Sequence, residues 1–400
     1  MTDIYTIQEL TSDQKDQIKA TIPYLEASGE AVTATFYQKM LSTNADVRPF
    51  FNKAHQITKQ QPKILAFALL NYAKNIDDLT PLTGFVKQIV VKHTGLQVKA
   101  EHYPIVGENL LATMLELLGP EVATPKLLDA WAVAYGNLAK ILIDAEKEIY
   151  QKNDWDGFKD FDVSKIVSEC EDVKSVYLKP TDPALKIQIP TRGQYLGIRW
   201  KVGEEETTRE YSISQFPTLE DNQYRISVKR DRNAGVISNY VHDELKVGDT
   251  VRVCAPNGNF VYKQASTAPV LLLAGGVGIT PLVSIAEGAL ANGREVTLLY
   301  SNTTIESRPF TQWLQDLKDT YQEKFTLKEY ISKKTTTEKV INGGEIFYNR
   351  LTSGDIPDTT KYDTYVLGPN GYLDMVFQTL EERGVSKSDV STEAFGVYRP

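Results

Sequence analysis

Residues 91–104 read VKHTGLQVKAEHYP. His93 shares one stripe of an apolar helical run with Phe85 and Ile89, and Val86 and Val90 stand beside that stripe. Thr94-Gly95 reads as the helix end, with Gly95 near the C-cap, and Tyr103 follows beyond it. A histidine on an apolar helix face is ordinarily a hydrogen-bonded core residue. What His93 faces is therefore decided by what the rest of the chain supplies.

The helical period extends on both sides, up to about Tyr150. Thr11-Ser-Asp-Gln14 is a capping-box pattern: the threonine accepts from a backbone N–H and the glutamine reaches back. Ile18, Ile22 and Leu25 then follow at helical spacing, Val32, Phe36 and Met40 mark a second helix, and Ile64 to Tyr72 another. Trp131, Tyr135, Leu138, Leu142 and Glu146 form a long stripe ending in a carboxylate, which is costly on an apolar face unless it is paired. No strand-like segment interrupts this half.

Composition bounds the rest. At about 100–200 residues per domain, the 400 residues suggest two to four domains. A net charge of −8 argues against nucleic acid or an anionic membrane surface as the main partner, since both require a basic face. The two cysteines, Cys170 and Cys254, are far apart, which excludes a disulfide framework and suggests a reducing compartment. The start, MTDIYTIQEL, lacks the basic and apolar regions of a signal peptide. The longest apolar stretches, around Ile64–Leu70 and Val270–Ala274, fall short of the roughly 18 residues of a membrane helix. A cytoplasmic protein without integral membrane association is expected.

From about Phe161 the texture changes. Val163–Val167, Val173–Leu178, Tyr195–Trp200, Tyr224–Val228 and Thr250–Cys254 read as strands, and Asn257-Gly258 as a hairpin signal. After Ala268 an apolar strand, Val270–Ala274, runs into a glycine-rich turn and a helix. Strands Val296–Tyr300 and Thr364–Leu367 then alternate with helical runs Pro309–Lys318 and Tyr372–Arg383, the mark of a parallel α/β unit. The expected architecture is multidomain: all-α over residues 1–150, a linker over 151–160, an antiparallel β-barrel over 161–266 and an α/β parallel-sheet domain over 267–400.

Two motifs in this half point to cofactors. Arg209-Glu210-Tyr211-Ser212 follows a charged loop and reads as the start of a strand. In a flavin-binding barrel the tyrosine would pack on the isoalloxazine, the serine would bond a ring nitrogen and the arginine would neutralise pyrophosphate. The same four residues also suit an ordinary edge strand. Gly193-Gln-Tyr195 precedes them and Gly235-Val-Ile-Ser238 follows. In the latter, glycine permits close backbone approach, and Ser238 would cap a helix whose N-terminus faces phosphate. Ala274-Gly-Gly-Val-Gly-Ile-Thr-Pro281 is sharper. It links a buried strand to a helix with Pro281 in the first turn, although its spacing is not G-x-G-x-x-G.

In the order GQY, RxYS, GVIS, GGVGITP, Leu367-Gly-Pro369 and Glu393-Ala-Phe-Gly396, residues 158–400 resemble the ferredoxin reductase-type family. The resemblance implies that Tyr195, Arg209 to Ser212, Gly235 and Ser238 hold FAD. It further implies that Gly276, Val277, Gly278, Ile279, Thr280 and Pro281 hold the nicotinamide dinucleotide. Ala394, Phe395, Gly396 and Val397 would lie by the flavin, with Glu393 tuning it. Leu367 stands where many members carry Cys, and Val397 where many carry Pro. The helical half adds Thr35-Phe-Tyr37, Lys92–Gln97, Glu101–Glu108 and the Trp131–Tyr150 helix. From about Ile18 to Glu393 the chain resembles the flavohaemoglobins, in a yeast-like form over Val91–Glu108 and Asn75–Leu79.

That resemblance implies one haem b, with His93 as proximal iron ligand and Tyr103 and Glu146 bonded around its other ring nitrogen. Tyr37 would donate to bound O2, Gln61 would be a second donor, Leu65 and Phe36 would wall the distal pocket, and Lys92 with Glu393 would influence redox potential. The implied enzyme is a monomeric nitric oxide dioxygenase. It would convert NO and O2 to nitrate for NO detoxification, passing electrons from NADH or NADPH through FAD to haem. Two other classes stay open at this stage: a flavin reductase whose helical domain only docks a partner, and an oxygen-storing or sensing globin. Peroxide reduction is an open side activity. Ser301, Asn302 and Arg308 would suit a 2′-phosphate, which leaves NADH versus NADPH undecided. His55, His102 and His242 read as loop or surface residues that imply no zinc site.

Overall fold

The computed structural model describes residues 4–51, 60–233, 235–335 and 340–393. The described residues divide into two compact units, one of residues up to Gly157 with Arg199–Arg209, the other of Phe158–Ile198 and the described residues from Glu210 to Glu393.

The helical residues form α1 (Ser12–Lys19), α2 (Ile22–Thr43), α3 (Gln60–Lys74), α4 (Thr83–Leu96), α5 (Tyr103–Leu118) and α6 (Pro125–Tyr150). The capping box forms as read: Gln14 N–H donates to Thr11 Oγ1 at 3.2 Å, and Thr11 N–H donates to Gln14 Oε1 at 3.0 Å. α1 ends earlier than its periodicity suggests. Thr21 Oγ1 turns back to the Ile18 carbonyl at 2.6 Å, and Ile22 and Leu25 belong to α2. Pro23 explains the restart, because in a first turn its missing N–H costs nothing. Ile18, Phe36, Met40, Leu110, Met114 and Trp131 are among the core residues that hold these helices together, all within 2% of full burial. At roughly 1.5–3 kcal/mol per buried large apolar side chain, this packing rather than helix propensity stabilises the unit.

The end of α4 differs from the sequence reading. The cap is Gln97, at φ 62°, and not Gly95, which is buried inside the last turn. Gln97 holds the left-handed conformation because its side-chain amide and its backbone N–H both donate to the Thr94 carbonyl, at 2.7 and 3.2 Å. Val98 N–H closes the motif on the His93 carbonyl at 2.9 Å.

The strands that follow are β1 (Lys159–Cys170), β2 (Val173–Pro180), β3 (Tyr195–Val202), β4 (Glu205–Gln215), β5 (Tyr224–Lys229) and β6 (Thr250–Val253). They close a barrel in the order β1-β2-β5-β4-β3-β6, with β1 antiparallel to both β2 and β6. A short helix, α7 (Val236–Asp243), joins β5 to β6. Asn257-Gly258 makes no hairpin. Asn257 instead exchanges two 2.9 Å backbone bonds with Tyr195, and Gly258 takes φ 114°. The dipeptide reports a need for positive φ, not which strand lies next to it.

The third set is β7 (Val270–Gly275), α8 (Thr280–Ala291), β8 (Val296–Asn302), α9 (Thr311–Tyr321), β9 (Phe325–Ile331), β10 (Glu345–Phe347), β11 (Asp363–Leu367), α10 (Asn370–Glu382) and β12 (Ser391–Thr392). The sheet order is β10-β9-β8-β7-β11-β12, with parallel pairing throughout. Every residue of β7 is buried, as expected for a strand covered on both faces. The chain winds outward from β7 to β10 and then returns to β11 on the other side of β7. The loops after β7 and β11 therefore diverge at a topological switch point, where such sheets take their ligands. Among the described residues no helix is long and apolar enough to cross a membrane.

Candidate functional site

Three helices converge on one carboxylate. His93 sits in the last turn of α4, Tyr103 opens α5, and Glu146 projects inward from α6. His93 Nδ1 lies 2.8 Å from Glu146 Oε1, and the Tyr103 hydroxyl donates to the same oxygen at 2.5 Å. Nδ1 is also 3.1 Å from the Tyr103 hydroxyl. Glu146 is only 2% exposed, so this pairing is what allows the carboxylate to be there. Both contacts of the ring use Nδ1. With Nδ1–H donating, Nε2 carries the lone pair, the atom through which a histidine can ligate a metal. Burial, and then the Glu146 charge, hold the Tyr103 phenol far above its ordinary value, so it remains a donor.

Two further tyrosines support this arrangement that the sequence reading did not assign. Tyr135 donates to the Tyr103 carbonyl at 2.6 Å, and Tyr150 donates to the Val98 carbonyl at 2.6 Å, just past the α4 cap. Their signal was visible, since both lie on α6 within reach of the Glu146 face, but nothing in a helical stripe says which hydroxyl meets which carbonyl. Gly107 leaves room for Tyr135: a Cβ built there would lie 2.6 Å from its ring. Gly107→Val is expected to destabilise the helical unit by about 1–3 kcal/mol through overpacking, read as a lower midpoint in thermal unfolding of the haem-loaded protein.

Tyr37 lies on α2 and is 8% exposed, with the rings of Phe36 and Phe51 edge-on at 4.9 and 5.5 Å. Among the described residues its hydroxyl makes no hydrogen bond, and burial raises its pKa well above 10. A buried, protonated, uncommitted donor fits a site that receives a ligand. Gln61 and Leu65 are half-buried on α3, Phe36 is in the core, and Lys92 is exposed beside His93.

In the barrel, Tyr195 is buried against Gly258, where a Cβ would lie 2.9 Å from its ring. Asn257 Nδ2 donates to its phenol oxygen at 3.4 Å. Burial first, then Glu210 and Glu393, hold its pKa far above 10. Arg209 to Ser212 lie mid-way along β4 rather than at its start. Arg209 Nη1 donates to Thr207 Oγ1 at 2.5 Å and to the Thr208 carbonyl at 2.8 Å, Tyr211 is half-buried and Ser212 buried. Gly235 is the N-cap of α7, and a Cβ there would strike the Asp231 carbonyl at 2.8 Å. Ser238 is not the cap. Its hydroxyl donates to the Gly235 carbonyl at 3.2 Å and accepts from Asp231 N–H at 3.0 Å, tightening the turn from inside the helix.

The turn Gly276–Ile279 links β7 to α8, whose first turn holds Pro281, and Thr280 Oγ1 donates to the Val277 carbonyl at 2.9 Å. Here glycine is required by contact. A Cβ on Gly278 would lie 2.6 Å from the Leu367 carbonyl oxygen, and one on Gly275 2.9 Å from Pro369. The two diverging loops therefore touch through bare backbone, a cradle that side chains would fill. Leu367 itself is fully buried in the core beneath it.

Several expectations change. Arg308 is fully buried and donates to both carboxylate oxygens of Glu329, at 2.6 and 2.7 Å, so it is not a ligand for a 2′-phosphate. Glu329 escaped the sequence reading because it comes from β9 and not from the segment after β8. His242 lies on α7 with Nε2 2.9 Å from the Val228 carbonyl. His102 is half-buried, its ring 4.7 Å from that of Phe50. His55 and Ala394, Phe395, Gly396 and Val397 lie outside the described residues.

Known proteins show the same three parts. Residues 34–142 match the Globin family, 160–262 the oxidoreductase FAD-binding domain and 272–378 the oxidoreductase NAD-binding domain. Over 403 aligned positions the chain is 52% identical to the flavohemoprotein of Schizosaccharomyces pombe, covering 99% of this chain and 94% of that one. The chain belongs to the flavohemoprotein family. The flavohemoprotein of Candida albicans is 50% identical with 100% of both chains covered. A solved flavohemoglobin from Malassezia yamatoensis, with bound FAD and heme, shares the fold at a TM-score of 0.83 and 23% identity, over 97% of this chain and 100% of that one. The flavohem-like FAD/NAD binding domain of nitric oxide dioxygenase from Vibrio cholerae matches 60% of this chain and 98% of its own, at 30% identity and a TM-score of 0.51. As a flavohemoprotein, the chain combines a haem-binding globin domain with FAD- and NAD-binding oxidoreductase domains.

Proposed function

We propose that this flavohemoprotein is an NAD(P)H-dependent nitric oxide dioxygenase, acting on O2 and NO and forming nitrate. The observation that carries the reading is the His93–Glu146–Tyr103 arrangement, on a chain that also holds flavin and nicotinamide domains. When bound, FAD supplies hydride acceptance from NAD(P)H with single-electron delivery, and haem b supplies the iron at which O2 and NO react. The chain's own residues position and tune. His93 would hold the haem iron through Nε2. Glu146, taking the Nδ1–H, gives the imidazole anionic character, and Tyr103 holds Glu146 in place. Tyr37 donates a hydrogen bond to the oxygen substrate, with Gln61 and Leu65 completing that side of the pocket and Phe36 behind Tyr37. Lys92 and Glu393 act on redox potential.

Tyr195, the Arg209–Ser212 segment and the Gly235 turn hold FAD, together with Ala394 to Val397. Gly276 to Pro281 hold the dinucleotide at the N-terminus of α8, where glycine N–H groups and the helix dipole receive pyrophosphate. The corresponding domains are residues 1–150, 161–266 and 267–400, with 151–160 as linker. A cytoplasmic monomer accords with the acidic charge and the low cysteine content. The test is NADH oxidation by the haem- and FAD-loaded protein under air, with and without NO. Addition of NO is expected to accelerate NADH consumption with stoichiometric nitrate; oxidation indifferent to NO would refute the reading.

A further inference from the structure

Arg192 comes from the turn that leads into β3 of the barrel, yet its side chain lies along α8 of the parallel-sheet domain. We infer that Arg192 is a positioning residue for hydride transfer, holding α8 against the Gly193-Gln194-Tyr195 segment; this rests on the reading that Tyr195 holds the flavin and the Gly276–Pro281 turn the dinucleotide. Arg192 Nη1 donates to the Ser284 carbonyl at 2.9 Å, and its guanidinium carbon lies 3.7 Å from the centroid of the Phe216 ring, just past β4. The side chain crosses α8 at Gly288, where a built Cβ would lie 2.5 Å from Arg192 Cδ. The main chain continues the tie. Gly193 N–H donates to Ser284 Oγ at 3.1 Å, which in turn donates to the Pro281 carbonyl at 3.2 Å, and the Arg192 carbonyl accepts Tyr262 N–H at 2.9 Å. Glu287 adds little, because its Oε2 is 3.6 Å from Nη1 and both side chains are partly exposed, while Trp313 Nε1 donates to its other oxygen at 3.0 Å.

These bonds join the two cofactor segments by a short path. Tyr195 follows Gly193 closely in sequence, and Pro281, where the path ends, is the last residue of the dinucleotide turn. Only a planar guanidinium can lie flat on the Phe216 ring while one of its N–H groups reaches a carbonyl at the edge. In the transfer, one hydride passes from NADH to the flavin, leaving NAD+ and the anionic reduced flavin. Its rate depends steeply on how the donor and acceptor rings are placed, so a loosened α8 slows it even when both cofactors are bound. Arg225 of β5 lies over the Phe310 ring at 4.9 Å, a second contact between barrel and parallel-sheet domain. Removal of Arg192 therefore loosens the tie without abolishing it.

The test uses the haem- and FAD-loaded protein and omits both O2 and NO. Arg192→Met keeps an apolar stem on Gly288 and removes the guanidinium. In anaerobic stopped-flow it should lower the limiting rate of flavin reduction by NADH about tenfold or more, with the NADH Kd changed by less than about threefold. Bound FAD should be retained, and the long-wavelength charge-transfer absorbance of the flavin–nicotinamide complex should weaken. Before NADH is added, hydrogen–deuterium exchange should be faster over residues 192–195 and 281–291. Gly288→Ala attacks the same contact from the other side: alanine favours the helix, yet its Cβ displaces the arginine, so flavin reduction should slow in the same way. The double variant should be no slower than Arg192→Met alone. If Arg192→Met fails to fold, Gly288→Ala is held to the same criteria. An unchanged limiting rate overturns the proposal, as does a loss confined to NADH Kd or to FAD content. A parent protein whose flavin NADH does not reduce would overturn the cofactor reading, and the proposal with it, before any variant is made.

Discussion

His93→Ala is expected to abolish NO consumption while leaving flavin reduction by NADH intact. Among the described residues of the helical unit, the imidazole is the one ring nitrogen pair held on one side by a buried carboxylate, which leaves its second nitrogen for a metal. The other described histidines are committed differently: His102 Nδ1 accepts from Lys99 N–H at 2.9 Å, and His242 belongs to the barrel unit. Removing the ring also leaves Glu146 buried with one donor fewer, an expected cost of about 1–3 kcal/mol in stability of the helical unit. The absorbance spectrum and NO-dependent NADH oxidation check both halves. Exogenous imidazole, which fits the vacated volume, should recover part of the spectrum. A variant with unaltered ligation and unaltered NO clearance would remove His93 from the site.

Tyr37→Phe should slow NO turnover by about a hundredfold, the usual scale for deleting one preorganised donor to developing negative charge. The substitution keeps the ring between Phe36 and Phe51, so packing is preserved and only the hydroxyl is lost. Stability should therefore stay near that of the parent, because the hydroxyl has no partner among the described residues. Flash photolysis should show faster O2 release from the reduced protein. Equal rates of O2 release and NO turnover in parent and variant would leave Tyr37 as a core residue only.

Much of this was legible in the sequence because it is local. Thr11 and Gln14, the Val270–Ala274 run and Pro281 each announce their geometry within a few residues. Glu146 was legible for a different reason: a carboxylate on an apolar stripe requires a partner, whatever the fold. Hidden from the sequence were pairings set by register between distant segments. Tyr135 meeting the Tyr103 carbonyl depends on how α5 crosses α6, which no periodicity encodes. Glu329 capturing Arg308 depends on β9 lying beside β8. Local signals also misled where one residue type serves two ends. Gly95 suggested a cap, yet it lies buried inside the last turn and Gln97 makes the turn. Asn257-Gly258 supplied the positive φ of a hairpin while serving to seat Tyr195.

The seam between β1 and β6 sets an order of events during synthesis. Lys159–Asp162 find their partners in Thr250–Val253, the last strand of the barrel to be made. Until that segment has left the ribosome, one margin of β1 has no backbone partner and the flavin module stays open. Helical contacts earlier in the chain involve no such wait and can form while translation continues. A stalled or truncated chain ending before Thr250 would thus display an unfinished strand margin, the kind of surface on which chaperones and aggregates both act.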